Sequence, residues 1–186
     1  MIDRHTLEEL DQQDPLGHFR ARFQLPEGMI YLDGNSLGPV SDVARQRLLR
    51  TLEHEWQPDL IKSWNQHDWI NLPLEVGEQI GAVIGAGPGQ VAVTDSTSIN
   101  LYKLLNVALA LRPGRYTIVS NRENFPTDLY MVQGLSAQLG SHRCQLRLVQ
   151  TDEILASIDE TTALVLLTQV DFRTGEKLDM AAVTAA

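Results

Sequence analysis

Three consecutive hydroxyl residues, Ser96, Thr97 and Ser98, separate a short apolar run from an amphipathic helix. The helix is predicted between Leu101 and Leu109, because apolar residues recur there at helical spacing. The first N–H groups of a helix have no intrahelical partner and carry partial positive charge, so this junction can bind a phosphate group. Serine and threonine are also ordinary N-cap residues, and the pattern fits simple helix capping as well.

A second polar segment, SNRENFPTDLY, follows the predicted strand TIVSN and precedes a helix that begins near Asp128. In open α/β sheets, ligands collect outside the carboxyl ends of the strands. We therefore expect Phe125, Thr127 and Asp128 to face the same crevice as the hydroxyl residues, together with Thr168 near the end of the run ALVLLTQV. An aromatic ring beside a phosphate site suits a flat heteroaromatic phosphate. The alternative stays open that Phe125 fills an apolar gap and that Asp128 caps a helix.

Strand and helix patterns alternate from residue 91 onward, and helices are predicted between the strand-like runs VAVTD, TIVSN, QLRLVQ and ALVLLTQV. The last run is almost entirely apolar, as expected of a strand covered on both faces in a parallel sheet. We predict the α/β class, with a helical N-terminal segment over residues 1–85 and the first half of a doubly wound domain over residues 86–186. Asp179 is the predicted N-cap of a last helix without an end signal, so we expect a chain cut within this domain.

The composition argues against several classes of function. The chain has 186 residues, a formal charge of -9 and 43% apolar residues, and it contains no basic run that would bind nucleic acid or an anionic membrane. No stretch approaches the roughly 20 apolar residues that span a bilayer. Cys144 is the single cysteine and the histidines lack metal-ligand spacing, so we expect neither a disulfide nor a metal site. These features predict a cytoplasmic protein.

Five segments, in this order and spacing, resemble the N-terminal portion of kynureninase, a pyridoxal-phosphate (PLP) enzyme of the aspartate-aminotransferase fold: YLDGNSLGPV, SWNQHDW, VTDSTSINLYKLL, NFPTDLY and LLTQVDFRTG. The resemblance covers essentially the whole chain and implies an incomplete PLP-transferase large domain. It also implies hydrolytic cleavage of L-kynurenine, or of its 3-hydroxy analogue, to anthranilate or 3-hydroxyanthranilate and L-alanine, in tryptophan catabolism and NAD biosynthesis. The implied cofactor is pyridoxal 5'-phosphate, whose ring acts as an electron sink.

The resemblance assigns cofactor contacts to individual residues. Thr97 and Ser98 are expected to hold the phosphate, the ring of Phe125 to stack on the pyridine, and Thr168 to contact the cofactor from the next strand. Three residues complete the wall beside the ring: Pro126, Thr127 and Asp128.

Outside the cofactor wall, Ser36 in the GNSLG loop and the stretch from Trp64 to Trp69 resemble parts of the substrate pocket. The family usually has the sequence His-Val-Asn-Tyr after the threonine that matches Thr168, whereas this chain has Gln169 to Phe172. The resemblance further implies a homodimer with active sites at the subunit boundary.

No residue of this chain is predicted to be catalytic, because the Schiff-base lysine of the family, and the aspartate that pairs with the pyridine nitrogen, lie beyond its last residue. The three lysines of the chain are predicted to be surface charges: Lys62, Lys103 and Lys177. In the fold that the chain resembles, strands from later sequence separate the first strand from the other three. We therefore expect the isolated chain to be poorly folded or prone to aggregation.

Two alternatives remain open. One is another PLP family of this fold, such as a cysteine desulfurase or a class V aminotransferase, which shares the phosphate helix but lacks the GNSLG and FPTD pair and places a histidine over the ring. The other is a non-catalytic remnant or a regulatory partner that binds PLP or a longer paralogue.

Overall fold

The chain folds into two compact units, one ending at Ala92 and one running from Val93 to Ala186. The computed structural model describes residues 3–186, so the first two residues of the predicted segment 1–85 lie outside the described range. The division that the sequence predicts, after residue 85, stays a prediction. None of the helices among the described residues combines the length and the apolar character needed to cross a bilayer.

The first unit is helical in its described residues. It contains α1 (Arg4–Gln13), a 3-10 helix (Gly17–Arg22), α2 (Asp42–Arg50), a π-helical segment (Thr51–Trp56), α3 (Gln57–Asp59), a second 3-10 helix (Leu60–Lys62), α4 (Ser63–Gln66) and α5 (Leu72–Ile84). Local signals explain several of these bounds. The Ser41 hydroxyl caps α2 by accepting from the backbone N–H of Ala44 at 3.2 Å. Helix α5 ends at Gly85, whose left-handed backbone (φ 77°) favours glycine.

A buried carboxylate organises the middle of the first unit. Glu55 accepts hydrogen bonds from Arg47 Nη1 at 2.6 Å and from the Trp69 indole Nε1 at 2.8 Å. Its backbone carbonyl accepts from the buried hydroxyl of Ser63 at 2.9 Å. The Trp69 and Arg47 donors hold the pKa of Glu55 below its usual range. Because a buried charge without partners is costly, these contacts tie the π-helical segment to the loop after α4.

The second unit contains the sheet and the apolar core. Its elements are α6 (Thr97–Leu111), β1 (Thr117–Asn121), α7 (Pro126–Leu139), β2 (Gln145–Val149), two 3-10 helices (Thr151–Glu153 and Leu155–Ser157), β3 (Thr162–Leu166) and α8 (Met180–Ala185). The fully buried apolar side chains of the described residues all lie in this unit. Leu105 of α6, Ile118 of β1 and Val132 of α7 pack in one cluster, so helices pack against the sheet through their apolar faces.

The three strands are parallel and lie in the order β2-β1-β3. Ile118 pairs with Leu146 of β2 on one side and with Leu164 of β3 on the other. The central strand β1 is buried along its whole length, as expected of a strand with neighbours on both edges and helices packed against it. The predicted parallel sheet is therefore confirmed for three of the four strand-like runs.

Two predicted elements differ in the structure. The run VAVTD is not a strand, since residues 91–95 join no ladder among the described residues, and a strand exists only where a second strand accepts its backbone hydrogen bonds. The helix predicted between QLRLVQ and ALVLLTQV is replaced by the two short 3-10 helices. A capping box between Gln150 and Glu153 starts this connection, and Ile158 already has an extended backbone, so the connection is confined to residues 151–157 and forms tighter 3-10 turns.

Candidate functional site

The start of α6 has the geometry that the hydroxyl triplet predicts. Ser96 is the N-cap, and its hydroxyl accepts from the backbone N–H of Ile99 at 3.4 Å. Thr97 and Ser98 occupy the first two helical positions, where the backbone N–H groups have no intrahelical acceptor. The helix has 15 residues and packs through Leu105 into the core, so its N-terminus has a fixed direction and a partial positive charge.

The loop before α6 is held by polar contacts. Asn100 Nδ2 donates to the backbone carbonyl of Thr94 at 2.7 Å, and the Thr94 hydroxyl donates to Asp95 at 2.9 Å. Asp95 has a left-handed backbone (φ 39°), and its carboxylate forms an ion pair with Lys103. The Lys103 ammonium holds the pKa of Asp95 below its usual range. A carboxylate near a phosphate site would repel the phosphate, and Lys103 compensates this charge.

The start of α7 brings four of the predicted residues together in sequence order. Phe125 is the N-cap, and Pro126 stands in the first turn, where its missing N–H costs nothing. The N–H of Asp128 donates to the carbonyl of Phe125 at 3.0 Å, which closes the first turn. Thr127 is exposed, whereas the half-buried position of Asp128 raises the pKa of its carboxyl by desolvation.

A second aromatic ring supports Phe125. The rings of Phe125 and Phe172 meet edge to face, with centroids 5.0 Å apart and an interplanar angle of 68°. Phe172 stands in a turn that Asp171 organises, since its Oδ1 accepts from the backbone N–H of Arg173 at 2.9 Å and of Thr174 at 2.8 Å. The Phe125 side chain nevertheless stays 44% exposed, so part of the ring is open to a ligand.

A pocket of about 230 Å³ opens beside this aromatic pair, at the carboxyl ends of β1 and β3. Its lining includes two predicted site residues, Phe125 and Thr168, together with Asn121, Asn124 and Phe172. The structure therefore brings Phe125 and Thr168 together. The other predicted cofactor residues of the described chain are not part of this lining, namely Thr97, Ser98, Pro126, Thr127 and Asp128.

Two asparagines line this pocket that the sequence pattern does not indicate as site residues. Asn124 is buried and bonded on all sides, and it connects Phe125 with Thr168. Asn121 is also buried, and its Oδ1 has no hydrogen-bond partner among the described residues. Both stand in the quoted segment SNRENFPTDLY, but the bonds from Asn121 to Thr151 and between Asn124 and Thr168 span 30 and 44 residues of sequence, so no local spacing could indicate them.

The predicted substrate residues lie in the first unit. Ser36 stands in a turn and is exposed, and its hydroxyl donates to Asp33 Oδ1 at 2.7 Å. In the aromatic stretch, Trp64 and Trp69 meet edge to face with centroids 6.3 Å apart. These contacts explain the local conformation of both segments, and a role in substrate binding stays a prediction.

The three lysines are exposed: Lys62 in the second 3-10 helix, Lys103 in α6 and Lys177 in the last loop. No group of three or more His, Cys, Asp or Glu side chains within residues 3–186 is arranged to hold a metal ion. The single cysteine, Cys144, is buried, and burial raises the pKa of its thiol.

Curated relatives of known name are similar to the chain from end to end. A kynureninase of Deinococcus radiodurans is 45% identical over 190 residues, which cover 100% of this chain and 46% of that protein. A kynureninase of Burkholderia pseudomallei is 46% identical over 189 residues, which cover 99% of this chain and 45% of that protein. One of Pseudomonas fluorescens is 45% identical over 192 residues, which cover 100% of this chain and 45% of that protein. No protein-family model matches the chain.

A solved structure shares the fold. It is a C-DES mutant with glycine covalently linked to the PLP cofactor, and it matches with a TM-score of 0.69 at 16% identity, over 100% of this chain and 45% of that one. This likeness confirms the predicted α/β fold class, since the whole chain matches 45% of that structure. The resemblance to kynureninase predicted from the five segments is confirmed over the whole chain, which spans about half the length of the curated relatives it matches.

Proposed function

We propose that this chain forms the cofactor-binding wall of a kynureninase, which cleaves L-kynurenine by water to anthranilate and L-alanine with the help of PLP. The observation that carries the proposal is the 45% identity to a kynureninase over the whole chain. The alternative of a cysteine desulfurase or a class V aminotransferase has weaker support, because the structural neighbour at 16% identity shares the fold alone.

The predicted site residues fit the cofactor chemically, those in the pocket toward its ring and those at the start of α6 toward its phosphate. A pyridine ring needs a flat apolar partner, and the half-open ring of Phe125 offers one. The ring substituents need hydrogen-bond partners, and Thr168 is an exposed hydroxyl residue in the lining of the same pocket. A phosphate needs backbone donors and a positive field, which the start of α6 offers at Thr97 and Ser98.

In this proposal the residues of the chain bind and orient the cofactor. Thr97 and Ser98 hold the phosphate through their N–H and hydroxyl groups, and Phe125 fixes the plane of the ring. The residues Pro126, Thr127 and Asp128 form the wall next to that ring. Once bound, PLP supplies an electron sink that stabilises the negative charge developed during cleavage. Burial of one ring face by Phe125 keeps water from that side.

The half-buried carboxyl of Asp128 adds an electrostatic contribution to the wall. Desolvation raises its pKa, so its ionised form lacks full compensation from water or from a partner. A ligand group that donates a hydrogen bond to this carboxylate would restore the compensation, and binding would lower the pKa again. We therefore assign to Asp128 a hydrogen-bond acceptor role toward cofactor or substrate.

No residue of this chain is assigned as the Schiff-base lysine, which the proposal places outside these 186 residues. Ser36 is assigned to substrate recognition on the basis of the resemblance. A homodimer and the acceptance of 3-hydroxykynurenine are proposed on the same basis. The free, buried Cys144 suits a reducing compartment and supports a cytoplasmic location.

A chimera tests the proposal directly. It consists of the 186 residues of this chain joined to the part of the D. radiodurans kynureninase that the chain does not match. We expect the chimera to bind PLP, with a visible absorbance band, and to release anthranilate from L-kynurenine. The double substitution of Thr97 and Ser98 by alanine should weaken PLP binding. A folded chimera that takes up no PLP would refute the proposal, and turnover of cysteine in place of kynurenine would favour the desulfurase alternative.

A further inference from the structure

We propose that Asn124 is a positioning residue that fixes Phe125 and Thr168 relative to each other for the cofactor, an inference that rests on the proposed function. Asn124 stands between β1 and α7 and is only 5% exposed. Phe125 follows it directly, whereas Thr168 is 44 residues away and comes after β3. Phe125 and Thr168, which come from separate segments, thus both contact Asn124.

The carboxamide of Asn124 uses its full hydrogen-bonding capacity. Its Nδ2 donates to Ser120 Oγ at 3.0 Å and to the backbone carbonyl of Leu166 at 3.3 Å. Its Oδ1 accepts from the backbone N–H of Phe125 at 2.8 Å and from the Thr168 hydroxyl at 2.7 Å. An asparagine side chain has two donor hydrogens and two acceptor lone pairs, so no position is left for water.

These partners allow one orientation of the amide. The Leu166 carbonyl can only accept, and the Phe125 N–H can only donate, so a flipped carboxamide would face both with the wrong group. The Ser120 hydroxyl donates to the same Leu166 carbonyl at 2.7 Å, which closes the network between the ends of β1 and β3. A buried network with every member satisfied is rigid. The positions of Phe125 and Thr168 are therefore set by the sheet through Asn124.

The network also determines what Thr168 can offer to a ligand. Oδ1 of Asn124 carries no hydrogen, so the short contact with Thr168 requires the hydroxyl proton of the threonine. The Thr168 oxygen then retains its lone pairs, and this exposed residue lines the pocket. Asn124 thus makes Thr168 a hydrogen-bond acceptor, which selects a donor group on the bound cofactor.

Two substitutions separate positioning from mere stability. Asn124→Ala removes all four hydrogen bonds, whereas Asn124→Asp keeps an acceptor oxygen toward Phe125 and Thr168 and loses the amide donations to Ser120 and Leu166. Thr117→Val is the matched control, because Thr117 is fully buried at the other end of β1 and loses one side-chain bond, to Thr161 Oγ1 at 2.9 Å. All variants are made in the chimera described above, which contains the full chain.

The first measurement needs no cofactor. The amide hydrogen exchange of Phe125 is compared with that of Val132, in the core-facing part of α7. As an N-cap, Phe125 has no helical acceptor for its N–H, so Asn124→Ala should speed its exchange by about tenfold or more relative to Val132. Asn124→Asp and Thr117→Val should leave this ratio within about threefold of the unsubstituted protein, because the acceptor of the Phe125 N–H remains.

The second measurement is PLP binding, and it has two readouts. One is the dissociation constant, and the other is the visible circular dichroism of the bound cofactor, which reports how its ring is oriented. Asn124→Ala should raise the dissociation constant by about tenfold and diminish the dichroism band, since the ring partner and the acceptor are no longer fixed. Asn124→Asp should retain the band. An unchanged exchange ratio or an unchanged band in Asn124→Ala would overturn the inference while the proposed function stands. Failure of the unsubstituted chimera to bind PLP would overturn the proposed function and the inference with it.

Discussion

Replacement of Gly77 by alanine is expected to destabilise the first unit, because the backbone that follows α5 lies directly against this glycine. A Cβ at Gly77 would overlap the carbonyl oxygen of Val91 and lie 2.7 Å from its carbonyl carbon and 3.2 Å from the Cα of Ala92. Ordinary van der Waals contact begins at 3.4 Å, and the opposing atoms are backbone rather than the end of a flexible side chain. The segment at Val91 would have to move by roughly 1 Å.

The net effect follows from two opposing contributions. Alanine is favoured over glycine inside a helix by about 1 kcal/mol. Overpacking costs about 1 to 3 kcal/mol, and the upper end applies to Gly77 because only a backbone shift relieves the overlap. We therefore expect Gly77→Ala to lower the local free energy of unfolding by about 2 kcal/mol, which speeds the exchange of the α5 amides by roughly 30-fold.

The same helix provides the control. Gly81 lies one turn further along α5, is also buried, and would place its Cβ 3.5 Å from Val91 Cγ2, an ordinary contact. Gly81→Ala should therefore gain helix stability and slow exchange by about fivefold. Hydrogen exchange of the α5 amides in the chimera measures both effects. Equal exchange rates for the two variants would refute the close approach of Val91 to α5.

Three further predictions concern the second unit and the isolated chain. Phe172→Leu should raise the dissociation constant of PLP, measured by titration, about fivefold. The aromatic pair that holds Phe125 is worth about 1 kcal/mol, and the substitution removes it. The pKa of Asp128 is raised in the folded protein, so its protonated carboxyl favours folding. This contribution to stability is complete below the pKa that the group has in the unfolded chain, and it is lost as the pH rises through the pKa of the folded protein. Asp128→Asn should abolish this loss in urea melts at a series of pH values, and a parallel pH profile would contradict it. The 186-residue chain alone should show no cooperative transition in calorimetry, because apolar side chains such as Ile30 (85% exposed) and Leu32 (89%) face solvent.

Features that depend on neighbouring residues could be predicted from the sequence. The apolar face of α6 repeats at helical spacing, and its start after Ser96 follows from the capping residue. The α5 end at Gly85 and the strand TIVSN follow from equally local signals. The sequence predicts Phe125 and Thr168 at one edge of the sheet because parallel strands bring their carboxyl ends together, and both residues line the pocket.

Features that depend on distant partners could not be predicted in this way. Asn124 is an ordinary loop asparagine by its sequence, and its importance rests on bonds to Leu166 and Thr168, more than 40 residues away. The edge contact between Phe125 and Phe172 depends on a turn that Asp171 stabilises. Local spacing carries no information about such contacts, which arise only when the sheet has formed.

The run VAVTD also shows that local sequence does not determine a feature that depends on distant partners. Its residues have strand propensity, but propensity is weak beside the hydrogen bonds of a ladder, and residues 91–95 pair with no strand in the described part of the chain. The start of α6 is nevertheless well placed, because Leu105 is buried in the core and the Tyr102 hydroxyl donates to Gln138 of α7 at 2.8 Å. Side-chain packing of the helix, without a strand before it, therefore fixes the direction in which Thr97 and Ser98 present their N–H groups.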